Sequence, residues 1–186
     1  MRWTDLPPQI DIAPLQALRD DLGVRGVGIG ADLGLDPGGD RTPQVLLEPA
    51  ALDEALRSIA GRTVEQGGLL VGRVYGDGPG PRRVVRVLRA VPGAGAEASV
   101  VSVRLPAATW SAARAAQGPG ECVVGWYHSH PGFGAFFSET DRATQAAFFR
   151  EPWHLGWVID PLRGEHAWFV GAHAEVMVES RLLVME

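Results

Sequence analysis

The amino-acid sequence predicts a mixed α/β sandwich, a single domain in which one β-sheet is flanked by helices. Three observations carry this. β-rich runs outnumber helical ones, helical segments interrupt the strand groups, and 186 residues of which 46% are hydrophobic suffice for one sizeable core but not for two.

The elements follow in chain order. Residues 1–43 read as an N-terminal extension of unassigned role: DIAPLQALRDDLG suits a short helix, VRGVGIGADL a glycine-diluted strand, and LGLDPGGDRTP a turn-rich link ending near Thr42. The alternating glycines of GVGIG fail the GxGxxG spacing, so no dinucleotide loop is read there. From Gln44 the pattern becomes regular, and residues 44–186 form the expected domain. QVLLE is a short strand. PAALDEALRSIAG, with proline at its start, Leu52 and Leu56 four apart and a closing glycine, is a helix. GGLLVGRVYG and RRVVRVLRAV flank DGPGP as a hairpin, and ASVVSVRLP is another strand. TWSAARAAQ is helical, GPGE a turn, CVVGWYHSH a strongly apolar strand, and SETDRATQAAFFRE a helix. LGWVIDP, HAWFVG and AEVMV complete the strands, the first stopped by Asp-Pro.

Composition narrows the function. A formal charge of −5 without runs of like charge speaks against nucleic acid as a partner. No stretch approaches the roughly 18 to 20 apolar residues that cross a bilayer, and the first residues lack a secretory pattern, so a cytoplasmic protein with no membrane partner is expected. The single cysteine, Cys122, excludes an internal disulfide and a cysteine-based zinc cluster; a metal would need histidine and carboxylate ligands. All 17 basic residues are arginine, a composition typical of a GC-rich, bacterial genome.

The segment GWYHSHPGFGAFFSETD holds the candidate chemistry. On a strand, His128 and His130 project from the same face, with Cα atoms roughly 6.5 to 7 Å apart. Pro131 and Gly132 end the strand, and the chain returns to a helix whose first turn can bring Asp141 over the two histidines. Two histidines and one aspartate suit zinc, and three protein ligands leave a fourth position open, as in catalytic sites. A second reading stands beside this one: Ser138 and Asp141 match a helix-capping pattern, and HSHPG could be a surface turn.

WYHSHPGFGAFFSETD resembles the motif of the JAMM/MPN+ metalloprotease family: a glutamate far upstream, HxH, ten residues, then aspartate. Here ten residues lie between His130 and Asp141, Pro131 follows the second histidine, and Ser138 lies three before the aspartate. The likeness runs from about Gln44 to Val178, is strongest toward the proteasome-lid deubiquitinase and the signalosome deneddylase, and leaves out the extension. It implies the cytidine-deaminase-like mixed sheet flanked by helices. It identifies Glu65 in TVEQGGLLVG with the family's upstream glutamate, at the start of a strand, and thereby an active member over a pseudoenzyme. One zinc would be held by His128, His130 and Asp141, with Glu65 as the base and Ser138 as an oxyanion donor. The implied substrate is a ubiquitin-like protein or its conjugate, cut after the C-terminal glycine, in a system with activating (E1-like) and conjugating (E2-like) proteins, including antiphage ones. The alternatives are a peptidase that processes a sulfur-carrier precursor and a non-catalytic MPN scaffold. GAGAEASVVSVRLP occupies the place of the family's tail-clamping insertion, and the second insertion is minimal, since VIDPLRG closely follows the motif helix. His154, His166 and His173 match no family position and are assigned to the sheet or its ends, and Trp126 to packing behind the ligands.

Overall fold

The computed structural model describes residues 10–23, 42–77, 83–93 and 105–185. The strand expected in VRGVGIGADL, most of that in ASVVSVRLP and most of the DGPGP turn lie outside them. Within them, helix α1 (Leu15–Leu22) precedes strand β1 (Gln44–Leu47), helix α2 (Pro49–Ile59) and the hairpin β2 (Gly67–Tyr75) and β3 (Val84–Pro92). Helix α3 (Ala107–Ala115), strand β4 (Cys122–Ser129), helix α4 (Glu139–Phe148), and strands β5 (Leu155–Asp160), β6 (Glu165–Val170), β7 (Glu175–Val176) and β8 (Leu182–Val184) follow. The strands form one mixed sheet in the order β7-β6-β5-β4-β2-β3-β1-β8. No described helix is long and apolar enough to cross a membrane.

The sheet is covered on both faces, and period-2 alternation sorts its residues between two cores. Leu70, Val74, Val85, Val87 and Tyr127 pack with α2 on one side, while Leu69, Val71, Trp126, Val158 and Phe169 pack with Ala113 of α3 and the phenylalanines flanking α4 on the other. On α2 the buried stripe is Ala51, Ala55 and Ile59, whereas Leu56 is 42% exposed. The two alanines let the helix lie close to the sheet, so the Leu52/Leu56 spacing signals the helix but not its inner face. The hairpin forms as expected, with a bulge between Val71 and Gly72. A Cβ at Gly72 would overlap the Arg86 carbonyl, which explains glycine there.

Residues 10–23 dock on β2. Ala13 bridges Tyr75, and Asp21 accepts hydrogen bonds from the Tyr75 hydroxyl (2.6 Å) and from Arg73 (2.9 Å). At the other end of the chain, β8 adds to β1 in parallel and β7 is two residues long. Neither detail is readable from segments so short.

Asp160, fully buried at the end of β5, links the sheet to the loop behind the histidines. Its carboxylate accepts from the backbone N–H groups of Gly132 (2.9 Å), Gly134 (2.6 Å), Leu162 (3.0 Å) and Arg163 (3.1 Å). Burial works to raise its pKa, but the four N–H groups outweigh this and hold it below the ordinary carboxylate value. A depressed folded-state pKa contributes stability that is present above the unfolded value and lost as pH falls through the folded one. Asp160→Asn, which offers one acceptor in place of two, should therefore lower stability in urea by about 2–4 kcal/mol at neutral pH. The deficit should narrow only below about pH 4, where the carboxylate of the unfolded parent chain begins to take up its proton while the folded one stays ionised to lower pH. An undiminished deficit in acid would show that the charge is not the source.

Candidate metal centre

Strand β4 carries Trp126 and His128 on one face, and the parallel register with β5 continues one residue further through the bond from His130 N to the Ile159 carbonyl (2.9 Å). The alternation therefore keeps His130 beside His128, and their Nε2 atoms stand 3.1 Å apart. Pro131 ends the strand. The loop held by Asp160 then returns the chain to α4, whose N-cap is Ser138.

The Asp141 carboxylate serves the helix cap and faces both histidines. Asp141 is the third residue of α4; the Ser138 N–H (2.7 Å) and hydroxyl (2.6 Å) donate to its Oδ2, and its own N–H donates to Ser138 Oγ (3.2 Å). Oδ1 lies 3.3 Å from His128 Nε2, and Oδ2 is 3.5 Å from His130 Nε2. The capping box expected from SETD forms, and in doing so it aims the carboxylate at the histidines.

Glu65 lies in the loop just before β2 rather than in the strand, and is only 8% exposed. Its location follows from register: β2 pairs antiparallel with β4 with Gly67 opposite His128, so continuing the ladder by two residues puts Glu65 opposite His130. Gln66 and Ser129 clamp the intervening step, through Ser129 N to the Gln66 carbonyl (2.8 Å) and Gln66 N to Ser129 Oγ (3.0 Å). Glu65 Oε1 ends 3.6 Å from His130 Nε2.

This geometry fits a metal ion. His128, His130 and Asp141, all buried, offer ligand atoms within 4.8 Å of one another. Donors around a tetrahedral zinc at about 2.0–2.1 Å are separated by about 3.3 Å, close to the distances from His128 Nε2 to His130 Nε2 (3.1 Å) and to Asp141 Oδ1 (3.3 Å), while the carboxylate's other oxygen, Oδ2, is the one nearer His130 at 3.5 Å. With both imidazoles neutral, Asp141 and Glu65 leave the pocket with two negative charges, which a divalent cation balances.

Electrostatics separates the four groups. Complete burial drives the His128 pKa down, keeping that ring neutral against the pull of Asp141. His130 is also opposed by burial, but its bond to Asp141 and the charges of Asp141 and Glu65 prevail and raise its pKa. Burial likewise works against ionised Asp141, yet the two histidines and Ser138 hold its carboxyl well below the usual range. Glu65 is pushed up, by burial first and by the Asp141 charge in addition, with His130 opposing.

The surroundings are aromatic. Trp126 stacks on His128 (centroids 4.5 Å apart, planes at 11°), Phe137 packs against both rings, and half-exposed Phe136 meets His130 edge-on at 5.1 Å. The three remaining histidines stay outside the cluster. His154 precedes β5 and accepts from Glu151 N (3.0 Å), His166 lies on β6, and His173 sits in the turn before β7. Sequence reasoning did not single out Gln66, Ser129, Gln145 and Asp160; the one available signal was a glutamine four residues after Asp141 on the buried face of a helix.

A model of the family described as prokaryotic homologs of the JAB domain matches residues 50–177, more than half the chain. The chain is 38% identical over 120 residues to COP9 signalosome complex subunit 5 of Oryza sativa subsp. japonica, covering 61% of this chain and 32% of that protein. It is 36% identical over 122 residues to 26S proteasome regulatory subunit RPN11 of Encephalitozoon cuniculi, covering 64% and 40%. With NAD(+) hydrolase TcpA of a Theionarchaea archaeon it shares 34% over 110 residues, covering 59% and 31%. The chain thus spans about a third of the length of these curated relatives. Its fold is that of a protein from Desulfitobacterium hafniense solved in solution, with a TM-score of 0.57 and 24% identity over 76% of this chain and 93% of that one.

A proton and a metal compete for the same nitrogens. The raised pKa of His130 stabilises the metal-free protein fully below the unfolded value near 6.5, and this contribution is lost as pH rises through the folded value. Metal uptake has the opposite sign. In chelator competition, zinc or cobalt affinity should rise with pH and still be rising above about pH 6.5; an affinity that is flat down to about pH 5.5 would contradict the histidine assignment.

Proposed function

The chain belongs to the family of prokaryotic homologs of the JAB domain, and from that premise we propose that it is a zinc-dependent isopeptidase or peptidase that cuts after the C-terminal glycine of a ubiquitin-like modifier. The observation that carries this reading is the buried Glu65 carboxylate beside, but outside, the three-ligand cluster. A scaffold has no use for an ionisable group desolvated at that position, whereas a hydrolase needs a base there.

His128, His130 and Asp141 would hold zinc, which when bound supplies Lewis acidity toward a carbonyl and lowers the pKa of water to about 7. The other steps belong to this chain. Glu65, its pKa raised by burial, is suited to accept the proton of the attacking water. An amine leaving group with an ordinary pKa near 10.4 must be protonated as it departs, and Glu65 returns the proton it took. The Ser138 hydroxyl is engaged with Asp141 Oδ2; by rotating about its Cα–Cβ bond it could donate instead to the developing oxyanion.

The names of two relatives, a COP9 signalosome subunit and a 26S proteasome regulatory subunit, support a protein modifier as the substrate class. Activating and conjugating proteins of one modifier pathway are the partners we propose. The tail-holding role expected for GAGAEASVVSVRLP falls almost wholly outside the described residues.

On a ubiquitin-like protein fused through its C-terminal glycine to a reporter, Glu65→Gln should keep its zinc while turnover falls by about 10²–10⁴-fold. Ser138→Ala should lose about 10²–10³-fold in turnover and, as a lost cap, about 1 kcal/mol in stability. Cleavage that survives chelation, or a fully active Glu65→Gln protein, would refute this function.

A further inference from the structure

We infer that Gln145 is a positioning residue for the metal centre, tying the helix that carries Asp141 to the strand that carries His128; this rests on the metal-site reading above. Within α4 only Asp141 and Gln145 are buried, one helical turn apart on the same face. The helix therefore has no apolar residue of its own in the core; between Phe137 and Phe149, which pack at its two ends, these two polar groups make its contact with the sheet.

The amide of Gln145 is fully used. Its Oε1 accepts from Trp126 Nε1 at 2.6 Å, and its Nε2 donates to the carbonyls of Gly171 (3.1 Å) and His154 (3.4 Å). An indole nitrogen can only donate, so the amide has one acceptable orientation. Trp126 in turn stacks on His128, whose Nδ1 finds no hydrogen-bond partner among the described residues. Metal-binding histidines are ordinarily oriented by a hydrogen bond to the second nitrogen. Here the path Gln145–Trp126–His128 takes that part through a hydrogen bond and a ring stack, while Asp141 reaches the same histidine from the same helix.

The test is cobalt titration of metal-free protein, read from the d–d spectrum and from chelator competition, with urea unfolding of each metal-free variant alongside. Wild type should bind one cobalt, and Gln145→Leu should weaken affinity by about 10–100-fold with an altered spectrum. Trp126→Phe retains an aromatic face, on a smaller ring, and removes the donor, so it should also weaken binding, and combining it with Gln145→Leu should cost little more than Gln145→Leu alone. Gln145→Leu or Trp126→Phe that loses stability at unchanged cobalt affinity and spectrum would overturn the proposal, making the residue a packing element only. If Gln145→Leu does not fold, Trp126→Phe decides the matter by the same criterion. Absence of cobalt binding by wild type would instead sink the metal-site reading itself.

Discussion

Two imidazole nitrogens 3.1 Å apart, with one carboxylate against both, form a polar knot inside an otherwise apolar layer. Such a group is costly to bury unless every charge and lone pair finds a counterpart. Much of the surrounding architecture serves that requirement. The parallel β4–β5 register carries His130 past the end of its strand, the capping box of α4 aims Asp141, and the antiparallel β2–β4 register brings Glu65 to the opposite side. On the His130 side two carboxylates face the ring and favour its protonated form. A divalent ion is the larger counter-charge for the same groups.

Rigidity comes from the second layer of contacts. Asp160 fixes the loop between His130 and Ser138, Gln66 and Ser129 fix the loop of Glu65, and Phe137 fills the space left by Gly156, where a Cβ would overlap its ring. Phe137 also touches Trp126 and His128, so the packing that supports the sheet supports that imidazole as well. Burying polar groups in this way costs fold stability unless each finds a partner.

The site was more legible in the sequence than the details of the fold. Period-2 alternation made HSH a two-ligand pattern once CVVGWYHSH was read as a strand, and SETD announced both the cap and the third ligand candidate. The competition between those two readings disappears because a carboxylate has two oxygens, with Oδ2 in the cap and Oδ1 toward His128. Glu65 was legible only through family resemblance, since register, not sequence distance, brings it to His130. Hidden from the sequence were the long-range ties. The acceptors of Gln145 lie in turns after α4 and after β6, and Asp160 reads in sequence as a strand stop, with nothing nearby to mark its N–H donors Gly132 and Gly134. The inner face of α2 was masked for another reason: alanines, not leucines, allow the close approach.

X-ray absorption at the zinc edge of the metal-loaded protein tests the central claim most directly. The account predicts one tightly held zinc in a shell of nitrogen and oxygen donors at about 2.0–2.1 Å, with the outer-shell scattering of two imidazoles and no sulfur. A sulfur scatterer, fewer than two imidazoles, or zinc that washes out of the folded protein would contradict it.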